Sequence, residues 1–252
     1  MKILLVENRE QGFFSCFNLI LMGISKLLNN NVENYYIDWR NKLYQNKDEN
    51  LFNKYFWQQE KVSTEEFTRY SAYDVIYTPK ISKKFENEID HELIKILIKN
   101  KYFENPLLKH IFSNCFKTFN CLGVQVRKTD HGHHGMLLKD EVYINNIDNH
   151  LDKYSSIFLS TDDKDIAKKF KDRYGSLLNL NQNIDRVSGN IGIHSSNFQN
   201  KDKLAIDVLT DAFSLSCCDK ILIKQSNISG YVKLINPEIK YEYLDKHISY
   251  KM

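Results

Sequence analysis

The sequence of 252 residues has little excess charge of either sign. Its 35 Lys and Arg residues nearly balance 32 Asp and Glu residues, for a net charge of +3. Nucleic-acid-binding domains normally concentrate positive charge on one face, so this balance argues against that class of protein. Hydrophobic residues make up 42% and charged residues 27%, which is typical of a globular protein. The length allows one large domain or two of ordinary size.

The chain also lacks the cysteine patterns of disulfide frameworks and zinc sites. It has five cysteines, an odd number, and no CxxC pair. Most of them lie in apolar runs, where a free cysteine behaves as a small hydrophobic residue. We therefore expect free thiols and a reducing compartment.

No segment has the pattern of a signal peptide or a membrane span. The apolar run at residues 2–6 is too short for a signal core, and charged residues follow it directly. Residues 13–28 are strongly apolar but are interrupted by Ser15, Asn18, Ser25 and Lys26. This pattern predicts a buried helix, no integral membrane segment and a cytoplasmic location.

Strand patterns alternate with helix patterns along the chain, which predicts an α/β protein with parallel strands. The division that fits best is an N-terminal α/β domain over residues 1–117 and a C-terminal one over residues 118–252. No repeat and no linker rich in Pro, Gly or Ser marks the boundary. The predicted strands are residues 2–6, 34–39, 74–77, 121–127, 156–160, 176–180, 220–224 and 238–243.

The strongest functional signal lies at the end of the strand 121–127. There an apolar run stops at Arg127, Lys128, Thr129 and Asp130. Open α/β sheets bind ligands at the carboxyl ends of their strands. Two cations and an acid in that place predict a site for an anion such as a phosphate or diphosphate. The alternative is a surface ion-pair network.

The next strand, residues 156–160, is followed by two carboxylates, Asp162 and Asp163. Asp163 is placed to cap the helix 163–173. Capping explains one carboxylate well, so we expect Asp162 to face the ligand crevice.

The third signal is Asp211, an acid inside the otherwise apolar helix 201–217. An unpaired buried carboxylate is costly, so Asp211 needs a donor, either an Arg or Lys of the protein or the edge of a bound base. The next strand ends before Ser226 and Asn227, which open another helix. A helix N-terminus of this kind is a natural phosphate site.

The tract of residues 131–135 contains three histidines, His131, His133 and His134. No cysteine or further pair at standard spacing completes a zinc site there. We expect a glycine-flanked loop at the mouth of a crevice, in which one histidine can act in proton transfer. A metallohydrolase built on this loop is the alternative.

Taken together, residues 118–235 resemble the fucosyltransferase superfamily that includes the α1,6-fucosyltransferases and the nodulation fucosyltransferase. The family's His-x-Arg-Arg-x-Asp-like motif corresponds here to residues 125–130. Its Ser/Ala-Thr-Asp-Asp strand end corresponds to residues 160–163. Its third motif, a helix with a central Asp followed by a strand and a Ser-rich loop, corresponds to residues 211–229. In the N-terminal half only the segments 12–15, which includes Gly12, and 37–39 look similar.

The resemblance implies a GT-B-like architecture, in which two Rossmann-like domains with parallel sheets face each other across a cleft. The C-terminal domain would bind GDP-fucose and the N-terminal domain the acceptor. The implied donor-binding and substrate-binding residues are Gly12, Gln125, Arg127, Lys128, Asp130, Asp162, Asp211, Ser226 and Asn227. Arg127 would hold the diphosphate and stabilise the departing GDP, while Asp211 and Gln125 would recognise guanine. Such enzymes resemble metal-independent inverting transferases, so no metal or other cofactor is expected.

The sequence departs from the family pattern at three positions. Gln125 replaces the usual His. Lys128 replaces the second Arg, and a lysine ammonium cannot bind phosphate oxygens bidentately as a guanidinium does. The acid that serves as the suspected base in some relatives is missing, since position 135 is Gly. His131, His134 and Glu141 are the candidates for deprotonating the acceptor hydroxyl.

The expected function is therefore inverting, metal-independent transfer of fucose from GDP-fucose to a sugar hydroxyl of a glycan acceptor. An alternative keeps the fold and changes the donor to another nucleotide sugar. A further alternative is a catalytically inactive protein that binds a nucleotide sugar, because the general base is not identified.

Overall fold

The structure is a computed structural model that describes residues 2–58, 67–129, 137–189, 192–193 and 200–245. Its contacts group the chain into two compact units. The first consists of Met1–Ser113 with Asn200–Ala205, and the second of Asn114–Gln199 with Ile206–Met252. Residues 200–205 lie within the predicted C-terminal domain 118–252 but group here with the N-terminal unit.

The N-terminal unit contains a three-stranded parallel sheet in the order β2-β1-β3. The strands are β1 (Ile3–Glu7), β2 (Tyr35–Trp39) and β3 (Thr68–Ser71). The helices are α1 (Phe13–Asn29), α2 (Leu51–Tyr55), α3 (Ala72–Tyr77), α4 (Pro79–Ser82), α5 (His91–Asn100) and α6 (Pro106–Ser113).

The core of this unit is rich in aromatic side chains. Phe17 of α1 stacks on Phe56 with ring centroids 4.2 Å apart, and it also lies 6.1 Å from the ring of Trp39. All five residues of β1 are buried. Because α1 buries its apolar side against the sheet, the predicted buried helix at residues 13–28 is confirmed.

The strand predicted at residues 74–77 is wrong. That segment belongs to α3, and the third strand lies earlier, at Thr68–Ser71. The Ser71 side chain caps α3 by accepting a hydrogen bond from the Asp74 N–H. The buried residues Ala72, Val75 and Ile76 fall at helical spacing, which a short apolar run does not distinguish from a strand.

The C-terminal unit contains a five-stranded sheet in the order β6-β5-β4-β7-β8, with every pair parallel. The strands are β4 (Cys121–Val126), β5 (Ser156–Thr161), β6 (Leu178–Asn179), β7 (Lys220–Ile223) and β8 (Lys240–Tyr243). The helices are α7 (Asp140–Asp148), α8 (Lys164–Tyr174), α9 (Lys201–Ser216) and α10 (Asn227–Ile235).

The two faces of β4 have different surroundings. Leu122, Val124 and Val126 pack in an apolar core with residues of α7 and α8. On the opposite face, Gly123 lies against Cys218, which follows α9, and an added Cβ would stand 2.9 Å from the Cys218 Sγ. Glycine is therefore required here for close packing. Gln125, two residues further along β4, lies on the same face of the sheet as Gly123, the face that α9 covers.

All five cysteines are free thiols. Within the described part of the chain, no helix is both long and apolar enough to cross a membrane.

Candidate functional site

The C-terminal sheet reverses its direction of winding between β4 and β7. From β4 the chain adds β5 and β6 on one side, and it then returns to place β7 and β8 on the other side. In open α/β sheets, ligands bind outside the carboxyl ends of the strands at such a switch point. Arg127 directly follows β4 and Lys224 directly follows β7, so the predicted anion site coincides with the switch point.

Two of the predicted site residues are joined across this switch point. The Ser226 hydroxyl donates a hydrogen bond of 3.2 Å to the Gln125 Oε1. Ser226 is also the N-cap of α10 and forms a capping box with Ser229. Asn227 is the first residue of α10. The partial positive charge of the helix N-terminus therefore lies at the carboxyl end of β4.

Asp162 connects the segments that follow β4 and β5. Its Oδ2 accepts a hydrogen bond of 2.6 Å from the hydroxyl of Thr129, which is fully buried, and its Oδ1 accepts from the Lys128 N–H at 3.4 Å. These bonds fix the turn after Arg127. Asp163 accepts from the N–H groups of Asp165 and Ile166, which confirms the predicted cap of α8.

The Lys128 side chain is held by residues at the start of α7. Its ammonium forms an ion pair with Asp140, in the first turn of α7, and donates a hydrogen bond of 3.0 Å to the Leu138 carbonyl. Asp140 also pairs with Lys169 at 2.7 Å. Burial raises the pKa of the Asp140 carboxyl, but hydrogen bonds from the two lysines outweigh burial and lower it. The ion-pair alternative thus describes Lys128 in this structure.

Asp211 is buried on α9, with 6% of its surface exposed. Its Oδ1 accepts a hydrogen bond of 2.6 Å from the Asn181 amide, and Ser160 is a second partner. Ser160 lies opposite Gln125 in the register of β4 and β5. Burial raises the pKa of Asp211 to about 6, despite the opposing effect of these hydrogen bonds and of the Arg186 charge. These two donors are an amide and a hydroxyl, whereas the sequence predicted either an Arg or Lys of the protein or the edge of a bound base.

Sequence reasoning missed Asn181 and Arg186, which lie in the polar loop after β6. The Arg186 guanidinium donates to three backbone carbonyls, those of Thr161, Asn181 and Ile184. It thereby holds the loop beside β5 and brings Asn181 to Asp211. A single arginine in a polar loop gives no periodic or motif signal, so only the tertiary contacts identify it.

Sequence reasoning also left Lys224 out of the predicted site. This lysine is only 5% exposed, unusually little for its type. Burial lowers the pKa of its ammonium; the charge of Asp245 opposes this effect, and the Arg127 guanidinium adds to it. The Asp245 Oδ2 also accepts a hydrogen bond of 3.1 Å from the Gln225 N–H.

The remaining predicted residues lie elsewhere. Glu141 is exposed in the first turn of α7. Gly12 precedes α1 in the N-terminal unit, and an added Cβ there would meet no atom within 4 Å, so packing does not require a glycine. Asp130, His131 and His134 lie outside the described residues. Across the described ranges, no group of three or more His, Cys, Asp or Glu residues is placed to hold a metal ion.

Two α/β units with parallel sheets, one of which carries two cationic residues at its switch point, define a GT-B-like fold. Solved structures share this fold. The fucosyltransferase NodZ from Bradyrhizobium aligns over 98% of this chain and 97% of its own, with a TM-score of 0.61 and 13% identity. NodZ α-1,6-fucosyltransferase soaked with GDP-fucose aligns over 94% of each chain, with a TM-score of 0.58 and 14% identity.

A third structure, of NodZ co-crystallised with GDP, covers 94% of this chain and 93% of its own, with a TM-score of 0.55 and 14% identity. No family model and no curated protein matches the sequence. At these identities the likeness is one of fold, and the predicted GT-B-like fold is confirmed. The likeness also extends over the N-terminal half, where the sequence motifs were few.

Proposed function

We propose that this chain is a glycosyltransferase that transfers fucose from GDP-fucose to a sugar hydroxyl of a glycan acceptor. The observation that carries the proposal is the switch point of the C-terminal sheet. There Arg127 follows β4, and the N-cap of α10 binds Gln125 of the same strand, in a fold shared with an enzyme whose structure was obtained with GDP-fucose. Free cysteines agree with a reducing cytoplasm as the place of action.

The donor diphosphate would lie at the carboxyl ends of β4 and β7. Arg127 would grip its oxygens bidentately, and the N-terminal turn of α10 would add backbone dipoles and the Ser226 and Asn227 side chains. Ser226 now donates to Gln125. When the Ser226 hydroxyl donates to a phosphate instead, the Gln125 amide becomes available to the base.

The guanine base would be recognised by Asp211. A carboxylate has about four lone-pair positions, of which the Asn181 and Ser160 bonds occupy two. The remaining positions accept from the N1–H and the exocyclic amine of guanine. These two donors favour the ionised carboxylate and so offset the cost of burying it.

The proposed reaction is a single in-line displacement with inversion. A general base, for which His131, His134 and Glu141 remain the candidates, takes the proton of the acceptor hydroxyl. The oxygen forms a bond to the anomeric carbon while the bond from that carbon to the β-phosphate oxygen breaks. The electron pair stays on GDP, where Arg127 stabilises the charge that develops. We propose that protein cations perform this role without a metal ion.

The acceptor would bind on the N-terminal unit, with Gly12 at the start of α1 as one contact. Because a Cβ at Gly12 would meet no atom within 4 Å, the backbone there is open to a ligand. In this proposal Asp162 and Lys128 act by fixing the turn that carries Arg127, and Asp130 belongs to the same segment.

The first test is calorimetry and thermal unfolding with GDP, GDP-fucose, GDP-mannose, UDP and CMP, with and without EDTA. A ligand at one hundred times its Kd adds about 2.7 kcal/mol of stability, which shifts the midpoint visibly. Selective binding of GDP and GDP-fucose that EDTA leaves unchanged supports the proposal. Preferential binding of another nucleotide would show that the donor is a different nucleotide sugar. Loss of binding in EDTA would favour the alternative of a metallohydrolase built on the histidines of residues 131–135.

The Arg127→Ala variant links binding to chemistry. It should abolish transfer and weaken GDP binding, because the guanidinium contacts the diphosphate in the ground state and the transition state. The matched control is Arg173→Ala, which removes an exposed arginine of α8 that pairs with Asp148. Equal effects of the two variants would overturn the role of Arg127. GDP binding without transfer in the wild-type chain would identify an inactive nucleotide-sugar-binding protein.

A further inference from the structure

Lys224 and Arg127 occupy equivalent places on adjacent strands. Each directly follows its strand, and Val124 of β4 pairs with Leu222 of β7. Position 224 is therefore level with position 126, one residue from Arg127. The two cations lie at one edge of the sheet, on either side of the switch point.

This juxtaposition brings two like charges close together. Lys224 is 5% exposed, and its ammonium is repelled by the Arg127 guanidinium while Asp245 attracts it. Two cations at adjacent strand ends raise the local positive potential, which favours the binding of an anion. A bound diphosphate would offset both charges, since charge-assisted hydrogen bonds are stronger where water is excluded.

Lys128, the cation that the sequence motif pairs with Arg127, is committed elsewhere. Its ammonium is held by Asp140 and by the Leu138 carbonyl. To reach a ligand beside Arg127, it would have to leave an ion pair that Lys169 also shares. Lys224, by contrast, follows the strand that pairs with β4, and the Arg127 charge acts on its ammonium.

We propose that Lys224, and not Lys128, is the second cation that binds the donor diphosphate beside Arg127. The inference rests on the proposed function for the identity of the donor. Arg127 contributes a planar fork for two oxygens, and Lys224 contributes a compact charge from the neighbouring strand. The chain thereby replaces the lost second arginine of its strand-end motif by a residue from a different strand.

The test is the affinity of the full chain for GDP, GMP, guanosine and inorganic pyrophosphate, measured by calorimetry for the wild type and Lys224→Met. We expect GDP and pyrophosphate affinity to fall about tenfold or more, as for the loss of one charged hydrogen bond. Guanosine binding should not change. The matched control is Lys220→Met, which removes the same charge from the other end of β7, where Lys220 contacts Glu242 and His150.

A second variant keeps the inference testable if Lys224→Met folds poorly. Lys224→Arg keeps the charge and should keep most of the GDP affinity. Because anion binding favours the ammonium form, wild-type affinity for pyrophosphate, which carries no base, should fall relative to that of Lys224→Arg as alkaline pH deprotonates Lys224. A guanidinium does not titrate in this range, so the difference between the two proteins reports on Lys224.

The possible outcomes separate the two proposals. If Lys224→Met binds GDP as tightly as Lys220→Met, the inference is wrong and the proposed function stands. If the wild type binds pyrophosphate in a Lys224-dependent way but does not prefer GDP to other nucleotides, the role of Lys224 beside Arg127 is supported. The proposal that the donor is a guanine nucleotide sugar is then wrong. Binding of neither GDP nor pyrophosphate by the wild type overturns both.

Discussion

At the scale of single residues, the Asp211 carboxylate affects both the stability of the fold and the proposed recognition of the base. Its pKa is about 6 because burial disfavours the charged form more than Asn181, Ser160 and Arg186 favour it. Near neutral pH it is therefore ionised at some cost in free energy. A ligand that donates hydrogen bonds to it recovers part of that cost, which is the physical basis for selecting a base with two adjacent donors.

This environment predicts a pH dependence of GDP binding. The raised pKa means that Asp211 takes up a proton as the pH falls through about 6, and binding to guanine must then expel that proton. GDP affinity should therefore decrease as the pH falls through about 6. Asp211→Asn should weaken GDP binding at neutral pH, by about tenfold, and remove this dependence. Calorimetry over this pH range measures both effects.

The terminal phosphate of GDP also titrates, with a pKa that is about 6 for phosphate esters. The informative quantity is therefore the difference between wild type and Asp211→Asn at each pH. Pyrophosphate, which has no base, should bind both proteins equally. A pH profile that is the same in both proteins would rule out contact between Asp211 and the base.

The sequence predicted that Asp211 is buried and needs a donor, since an acid in an apolar helix allows little else. It did not identify the donors. Asn181 reaches Asp211 because Arg186 binds the Thr161 carbonyl at 3.1 Å and holds the loop against β5. A contact of this kind depends on the path of an irregular loop, which has no periodicity.

At the scale of elements, a helix-capping residue was easier to predict from the sequence than the type of a short apolar segment. The cap of α8 was predicted because an Asp after an apolar strand, followed by another acid, favours the start of a helix. The strand predicted at residues 74–77 is wrong because a segment of four residues is too short to distinguish the helical period of 3.6 residues from the strand period of two. There the Ser71 cap and the pairing of β3 with β1 decide the structure.

The α8 cap gives a prediction about stability. Asp163 is 8% exposed, and its Oδ1 accepts from the Asp165 and Ile166 N–H groups at 2.8 and 2.9 Å. Asp163→Ala leaves these donors without their partner and should lower the free energy of unfolding of the C-terminal unit by about 0.5–2 kcal/mol. Chemical denaturation measures the loss, and hydrogen exchange locates it in the first turn of α8.

Asp172→Ala is the matched control, because it removes an exposed acid from the last part of the same helix. Its effect should stay within about 0.5 kcal/mol, as for ordinary surface substitutions. If Asp163→Ala were no more destabilising than Asp172→Ala, the cap would not contribute to stability.

At the scale of the whole molecule, the strand order decides which residues meet. The motif at residues 125–130 predicted Arg127 and Lys128 as a pair, because they are adjacent in sequence. In the order β6-β5-β4-β7-β8, Lys224 becomes the neighbour of Arg127 instead, although the two are far apart in the chain. Alternating strands and helices predict parallel pairing, but the order in which the strands pair is a tertiary property.

The grouping of residues 200–205 with the N-terminal unit is likewise not apparent from the sequence, because it depends on tertiary contacts of Asp202. Asp202 forms an ion pair with Lys54 at 3.0 Å and accepts a hydrogen bond from the Asn46 N–H at 3.3 Å. Burial lowers the pKa of Lys54, but the hydrogen bonds that its ammonium donates to Glu49 and Asp202 outweigh burial and raise it. Asp202→Ala should therefore destabilise α2, by no more than about 1 kcal/mol because the pair is partly exposed.

Hydrogen exchange measures this effect element by element. Amide protection in Leu51–Tyr55 should decrease in Asp202→Ala, while protection in Cys121–Val126 of the C-terminal unit stays as in the wild type. A double-mutant cycle with Lys54→Met isolates the ion pair, since the two substitutions should be less than additive if the side chains interact. Additive effects, or a loss of protection confined to the C-terminal unit, would show that Asp202 stabilises its own helix and not α2.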